Sequence, residues 1–298
     1  MAVPLSGQVV GLAKWTDGTP DTVQSFCRVV EGGGIDFDFH NVRKVGVGGQ
    51  LHTRKGSLEC TLNATAVGVA LVDIALFFPT AATTQVTFPD TSTGFLVEVD
   101  DATDGKEYML SSCQPGSITI ACGAEPDAEV TYAMVIKGVP QQAAVGTLAP
   151  TYNGFLGHTI NDTTVQLVTS DINCLSWSLS NDLGVEMYNP MDTKSAGSLT
   201  LPTGYVVTTQ NPRLEMVTAD PVKWASATIV GDTWTAEDIV IALDNGTTAQ
   251  DITITLDEFI PETLNMPFEG ESLVGFAHSF APAGTPTAAA IYNRVTLA

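Results

Sequence analysis

The sequence predicts a mainly β protein with minor α content: two tandem β-sandwich or barrel-type domains, each flanked by a helix or short helical turn. Three observations predict it. The composition is that of short strands and many turns, with 27 Gly and 16 Pro among 298 residues, of which 44% are hydrophobic. The clearest segments alternate apolar and polar residues with period two, as half-buried strands do. Several of these segments also recur in the same order in both halves of the chain, the sequence signature of an internal repeat.

The repeat rests on five landmarks. Val23-Gln24-Ser25 precedes the alternating run Ile35-Asp36-Phe37-Asp38-Phe39-His40-Asn41 by 12 residues, and Val165-Gln166-Leu167 precedes Leu175-Ser176-Trp177-Ser178-Leu179-Ser180-Asn181 by 10. Gly56-Ser57-Leu58 and Gly197-Ser198-Leu199 follow the two Asn residues by 15 and 16. Ser117-Ile118-Thr119-Ile120 then matches Asp251-Ile252-Thr253-Ile254, and a closing strand over 128–136 matches one over 271–280. The repeat implies a first domain over 1–142 with an N-terminal arm at 1–20, and a linker over 143–150. A second domain over 151–283 and a C-terminal arm over 284–298 complete the chain.

Within each strand the alternation assigns faces. Ile35, Phe37 and Phe39 are expected in the core with Asp36 and Asp38 outward; Leu175, Trp177 and Leu179 take the core side with Ser176 and Ser178 opposite. Phe95–Val99 and Ile252–Leu256 follow the same pattern. One helix is expected across Ala66–Phe78, where Val69, Val72, Asp73, Leu76 and Phe77 stand at helical spacing ahead of Pro79. The equivalent stretch of the second half, 212–227, contains Pro221, so any helix there is short.

A polar connection of about 15 residues follows each alternating strand, longer than ordinary hairpins use. The first carries Arg43, Lys44, Arg54 and Lys55, four of the chain's 12 cations; the second carries Glu186, Asp192 and Lys194. One reading is a solvated loop. The other is a contact element, in which a basic loop reaches an acidic neighbouring copy.

Charge limits the function classes. The formal net charge is −21, from 33 acidic and 12 basic residues. Such a surface repels phosphate and argues against nucleic-acid binding that works by neutralising the backbone. It is compatible with a surface that DNA slides past. Only 15% of residues are charged, which suits a subunit that hides much of its surface against partners. The five Cys form neither a CxxC nor a Cys/His cluster, so no disulfide frame or zinc site is expected, and the protein is expected in a reducing compartment. The first residues lack a basic region followed by an apolar run, so no signal peptide is expected. No apolar stretch approaches the roughly 20 residues that span a bilayer.

Catalytic and metal motifs are thin. Asp36 and Asp38 are explained by strand alternation before metal binding is needed. Asp100-Asp101-Ala102-Thr103-Asp104-Gly105 starts like a calcium loop, but Ser111 stands where the bidentate Glu belongs, so a turn is expected. Gly32-Gly33-Gly34 lacks the Lys-Ser/Thr of a phosphate loop, and no GxSxG elbow occurs. The expectation is a protein with no enzymatic activity, no cofactor and no metal.

The run from Asp171 to Asp182, the long connection after it, Gly197-Ser198-Leu199-Thr200-Leu201, and the strands near 252–256 and 273–280 together resemble the tail tube (major tail) proteins of tailed phages, in the variant with two tube domains per chain. The resemblance spans about residues 5–285 and is one of pattern and order. It implies small β-sandwiches flanked by a helix, whose inner sheets join between neighbours into a closed barrel. It further implies homotrimeric rings of pseudo-sixfold symmetry, stacked into a tube through the long loops. Arg43, Lys44, Arg54, Lys55, Glu186, Asp192 and Lys194 would then make contacts between rings. The implied partners are the chain itself, the tape measure, distal tail and terminator proteins, and viral DNA passing without specific binding; no membrane is involved. The implied location is the virion tail, assembled in the host cytoplasm, with a lean to long non-contractile tails. Asp36, Asp38, Ser176 and Ser178, on the polar sides of the most strongly alternating strands, would line the channel, although period two leaves an outward orientation open. Two other readings stay open: another tail component of the same fold, such as a distal tail or hub protein, and a tandem carbohydrate- or surface-binding β-sandwich with Trp15, Trp224 and Trp234 as platforms.

Overall fold

A computed structural model of the chain describes residues 8–16, 19–20, 30–39, 42–46, 49–54, 58–69, 71–78, 81–82, 85–86, 93–100, 106–110, 113–123, 128–136, 141–144, 157–167, 170–188, 204–207, 211–219, 237–265, 275–283 and 295–298. The first half runs through strands β1 (Gln8–Thr16), β2 (Thr19–Pro20) and β3 (Val30–Phe39). A hairpin of β4 (Val42–Gly46) and β5 (Gly49–Arg54) leads into β6 (Leu58–Val67). A helical turn, α1 (Leu71–Ile74), continues as a 3-10 helix over Ala75–Phe77. Then come β7 (Ala81–Ala82), β8 (Gln85–Val86), β9 (Thr93–Asp100), β10 (Lys106–Leu110), β11 (Cys113–Cys122), β12 (Glu129–Ile136) and β13 (Gln141–Ala144).

The second half holds β14 (Thr163–Leu167), β15 (Ser170–Ile172) and β16 (Cys174–Asp182). After them come β17 (Val185–Tyr188), paired with β18 (Gly204–Val207), and β19 (Asn211–Thr218). The half ends with β20 (Glu237–Leu243), β21 (Ile252–Asn265), β22 (Phe276–Pro282) and β23 (Val295–Leu297).

The protein is mainly β, organised around one large antiparallel sheet of 12 strands. Its order is β15-β14-β20-β21-β22-β19-β16-β11-β12-β6-β3, with β23 added on β21. The halves meet inside this sheet, where β11 pairs with β16 from Ser117↔Asp182 to Cys122↔Trp177. A row of apolar residues crosses that seam: Phe280, Leu214, Leu179, Ile120 and Val130 stand opposite one another on successive strands, each at most 3% exposed. These residues belong to one apolar core shared by both halves. Asn181 Nδ2 also donates to the carbonyl of Phe77 at 2.7 Å, tying β16 to the helical turn of the first half. A second sheet, β13-β10-β9-β1-β2, has β1 close to β3 and β9 close to β11.

Strand order is the same in the two halves: β3-β6-β12-β11 in the first and β16-β19-β22-β21 in the second. The five-stranded order β2-β1-β9-β10-β13 likewise matches β15-β14-β20-β21-β23. In the second half β21 serves both sets, its start pairing with β20 and β23 and its end with β22. Glu258, at φ 52, marks the bend between the two parts. The irregularities coincide as well. β3 shifts register between Val30 and Gly32 and β16 between Cys174 and Ser176; β11 shifts between Pro115 and Ser117 and β21 between Pro261 and Thr263. Proline opens both of the latter bulges, a place in a sheet where proline is tolerated.

Several sequence expectations change here. The helix expected across Ala66–Phe78 is shorter, because β6 continues to Val67 and its end pairs with β12; only 71–77 are helical. No helix fills the start of 212–227, since Asn211–Thr218 is strand β19, with Pro212, Leu214, Met216 and Thr218 buried in alternation. Its place in the sheet is that of β6, whereas Gly197-Ser198-Leu199 lies outside the described residues, as does Val23-Gln24-Ser25. Phe37 is not core but 46% exposed, because among the described residues β3 is an edge strand; Ile35 does pack against the core. The bulges align Ile35 with Leu179, four residues from the pairing with Leu175 that alternation suggests. A period-two pattern matches itself equally well at every even shift, so it cannot choose between them. Segment 143–150 begins within β13, and β23 lies within 284–298.

Leu179, 0% exposed at the seam, sets a test of the shared core. Leu179→Ala should lower stability by about 2–5 kcal/mol in urea. A single unfolding transition is expected, with both halves losing structure together; two separate midpoints would show independent cores.

Candidate functional site

In an antiparallel sheet, residues directly opposite each other share a face. Asp36 stands opposite Thr61 and Asp38 opposite Glu59. Further along β6, Thr65 faces Thr131, which faces Thr119, which faces Ser180 on β16. Asp36, Asp38, Ser176 and Ser178 therefore all lie on one face, the side away from the apolar row. The two Asp are exposed and the two Ser half-buried.

This face is hydroxyl-rich and acidic. Among the described residues it carries Asp36, Asp38, Glu59, Glu129, Asp182 and Glu215 by register, against the single cation Arg213. Arg213 Nη2 meets Glu262 Oε2 at 2.8 Å, so its charge is already matched. Three hydrogen bonds link side chains across strands. Asn63 Nδ2 donates to Asp36 Oδ2 at 3.3 Å, the Thr65 and Thr131 hydroxyls meet at 3.2 Å, and those of Thr263 and Ser279 at 2.6 Å. A groove of about 490 Å³ lies on this face across β11, β16, β19, β22 and β21, lined by Ser176, Ser178, Glu215, Thr263, Asn265 and Ser279.

Glu215, Arg213, Thr263, Asn265 and Ser279 were not singled out by the sequence reading. The alternation Asn211-Pro212-Arg213-Leu214-Glu215-Met216 carries the signal for the first two. Aligning this stretch with the helical region of the first half concealed it. The loop residues have a different fate. Arg43 and Lys44 lie in β4 and Arg54 ends β5, with Arg43 opposite Thr53 and Arg54 opposite Val42. The first long connection is thus a two-stranded hairpin and not an irregular loop. Glu186 lies in β17 opposite Val206, while Lys55, Asp192 and Lys194 fall outside the described residues, as do Trp224 and Trp234.

No group of His, Cys, Asp and Glu among the described residues is placed to hold a metal ion. The thiols of Cys60 and Cys174 are held protonated by burial, which pushes Cys60 up to about 11, with Asp36 adding to the effect, and Cys174 up to about 12. His278, on the core side beneath the groove, meets the Thr218 hydroxyl through Nε2 at 3.0 Å. Its desolvation holds the imidazole below its ordinary pKa.

A scan of known protein families finds no family model that matches the chain, and a search of curated proteins finds no match to it.

The shift of His278 has a sign that can be tested. The unfolded chain takes up a proton near pH 6.5 while the folded chain resists it, so this contribution to stability is present above that pH and is lost as pH falls toward the folded pKa. The unfolding midpoint should fall between about pH 7.5 and about pH 5.5, and His278→Gln should flatten that fall. An equal slope in the variant would assign the dependence to another group.

Proposed function

We propose that the chain is a tail tube subunit of a tailed virus, built from two tandem tube domains and polymerising into stacked rings around a channel for DNA. The observation that carries this reading is the strand-for-strand correspondence between the halves, joined edge to edge through β11 and β16. A repeat unit that pairs with its own copy through a sheet edge leaves one further edge at each end. Such edges invite aggregation unless they are closed, and a ring closes them. The sidedness of the large sheet supports the same reading. Its apolar face is buried in the chain's core, so the polar face, which carries the groove, is the one available to a lumen.

The chemistry of that face fits passage without capture. DNA is retained when Lys and Arg neutralise phosphates and release counterions. Among the described residues, six carboxylates stand here against one paired Arg213, interleaved with Ser and Thr that keep the wall hydrated. The hairpin of β4 and β5 brings cations of the first connection onto one element, suited to meeting an acidic neighbour in the next ring.

Negative-stain microscopy of the purified protein should show hollow tubes, whereas a population of monomers at every concentration would remove the reading. In assembled tails, Asp36→Lys with Asp38→Lys and Glu215→Lys should slow DNA ejection by about an order of magnitude, more at low salt. Ejection at the parental rate from tails of normal length would move this face to the exterior. Charge reversal of Arg43, Lys44, Arg54 and Lys55 to Glu should leave rings that do not stack; tubes of normal length would dismiss the hairpin as the contact.

A further inference from the structure

Eight strands of the large sheet form an unbroken run, β21-β22-β19-β16-β11-β12-β6-β3. Among the described residues, β3 at one end pairs only with β6, and residues 260–265 of β21 at the other end pair only with β22. Both edges present accessible side chains: Asp36, Phe37 and Asp38 on one, Thr263, Leu264 and Asn265 on the other, all exposed except half-buried Leu264. Phe37 is the one exposed large hydrophobic residue among those described.

The chain already contains one joint between edges of these two kinds. β11 occupies the position of the end of β21, and β16 occupies the position of β3. The bulges fix the correspondence residue by residue. Pro115 and Ser117 match Pro261 and Thr263, while Val30 and Gly32 match Cys174 and Ser176, so Asp38 matches Asp182 and Phe37 matches Asn181. At the internal joint, Ser117 stands opposite Asp182, Ile118 opposite Asn181 and Thr119 opposite Ser180.

We infer that β3 of one copy pairs antiparallel with the end of β21 of a second copy, placing Thr263 opposite Asp38, Leu264 opposite Phe37 and Asn265 opposite Asp36. The inference rests on the tube reading and specifies the contact between subunits that it requires. In this register Leu264 covers Phe37, removing its apolar surface from water. Thr263 and Asn265 extend the polar face beside Asp38 and Asp36, and no two like charges stand opposite each other. The contact is head to tail, so it leaves the same pair of edges free after each addition until a ring closes.

Cysteine cross-linking tests the register. β3 and the end of β21 are separated by seven strand spacings, about 34 Å along the sheet, far beyond disulfide reach, so a bond between them joins two copies. In a Cys27→Ser, Cys113→Ser background, Asp38→Cys with Thr263→Cys and, separately, Asp36→Cys with Asn265→Cys should give reducible dimers and trimers under mild oxidation. Each single variant, and the off-register pair Asp36→Cys with Thr263→Cys, should give at most about a tenth as much. Equal cross-linking by a single variant, or by the off-register pair, overturns the register. Microscopy of the same samples separates the two claims. Tubes without in-register cross-links sink the joint alone, and cross-links without tubes leave the joint and sink the tube. Monomers without cross-links sink both. The paired positions Asp36, Asp38, Thr263 and Asn265 are exposed, and an unchanged thermal midpoint verifies folding.

Discussion

The pairing of β11 with β16 is the interaction on which the rest of this structure depends. Six residue pairs, from Ser117↔Asp182 to Cys122↔Trp177, convert two strand-paired halves into one sheet. The hydrogen-bond ladder sets direction and register, but a ladder by itself contributes little net free energy, since water satisfies the same groups in the unfolded chain. What makes this joint stable is the row of Phe280, Leu214, Leu179, Ile120 and Val130 beneath it. Each fully buried side chain of this size contributes about 1.5–3 kcal/mol. A slip of one residue at the seam would turn that row into solvent.

The same constraint explains why the polar face is continuous. Because the apolar row crosses the seam in register, so does the row next to it, and Thr131, Thr119 and Ser180 align across the boundary between halves. The acidic groups of β3, β6, β12, β16 and β19 thereby collect on one surface, although they come from distant parts of the chain. The bulges at Pro115 and Pro261 repeat at equivalent places in the two halves. Bulges bend and twist a strand locally, and the two at matched positions lie in strands that border the groove.

Much of this was legible before any coordinates. Period two placed Ile252, Ile254 and Leu256 in the core and Thr253 and Thr255 away from it, and all five stand as expected. It also put Asp36 and Asp38 opposite their apolar neighbours in β3. It misplaced Phe37 because alternation reports which side of a strand a residue takes and not whether anything covers that side. The helix was overextended because Ala66 and Val67 satisfy a helical spacing as readily as a strand; pairing with Val130 and Glu129 of β12 decides between them.

From the sequence alone follow the β character and the sidedness of the alternating strands, since both arise from neighbours along one chain. The match of Ser117–Ile120 to Asp251–Ile254 does not hold, because β11 takes the place of the end of β21 and Ser117 corresponds to Thr263. The tertiary structure decided which strands are adjacent, that Arg213, Glu215, Thr263, Asn265 and Ser279 belong to the same face as Asp36 and Ser176, and by how many residues the halves are offset. Those are properties of pairing between residues 12 to 65 positions apart. An alternating pattern is unchanged by any even shift, so only the bulges and the filled core, which exist once strands meet, select a single register.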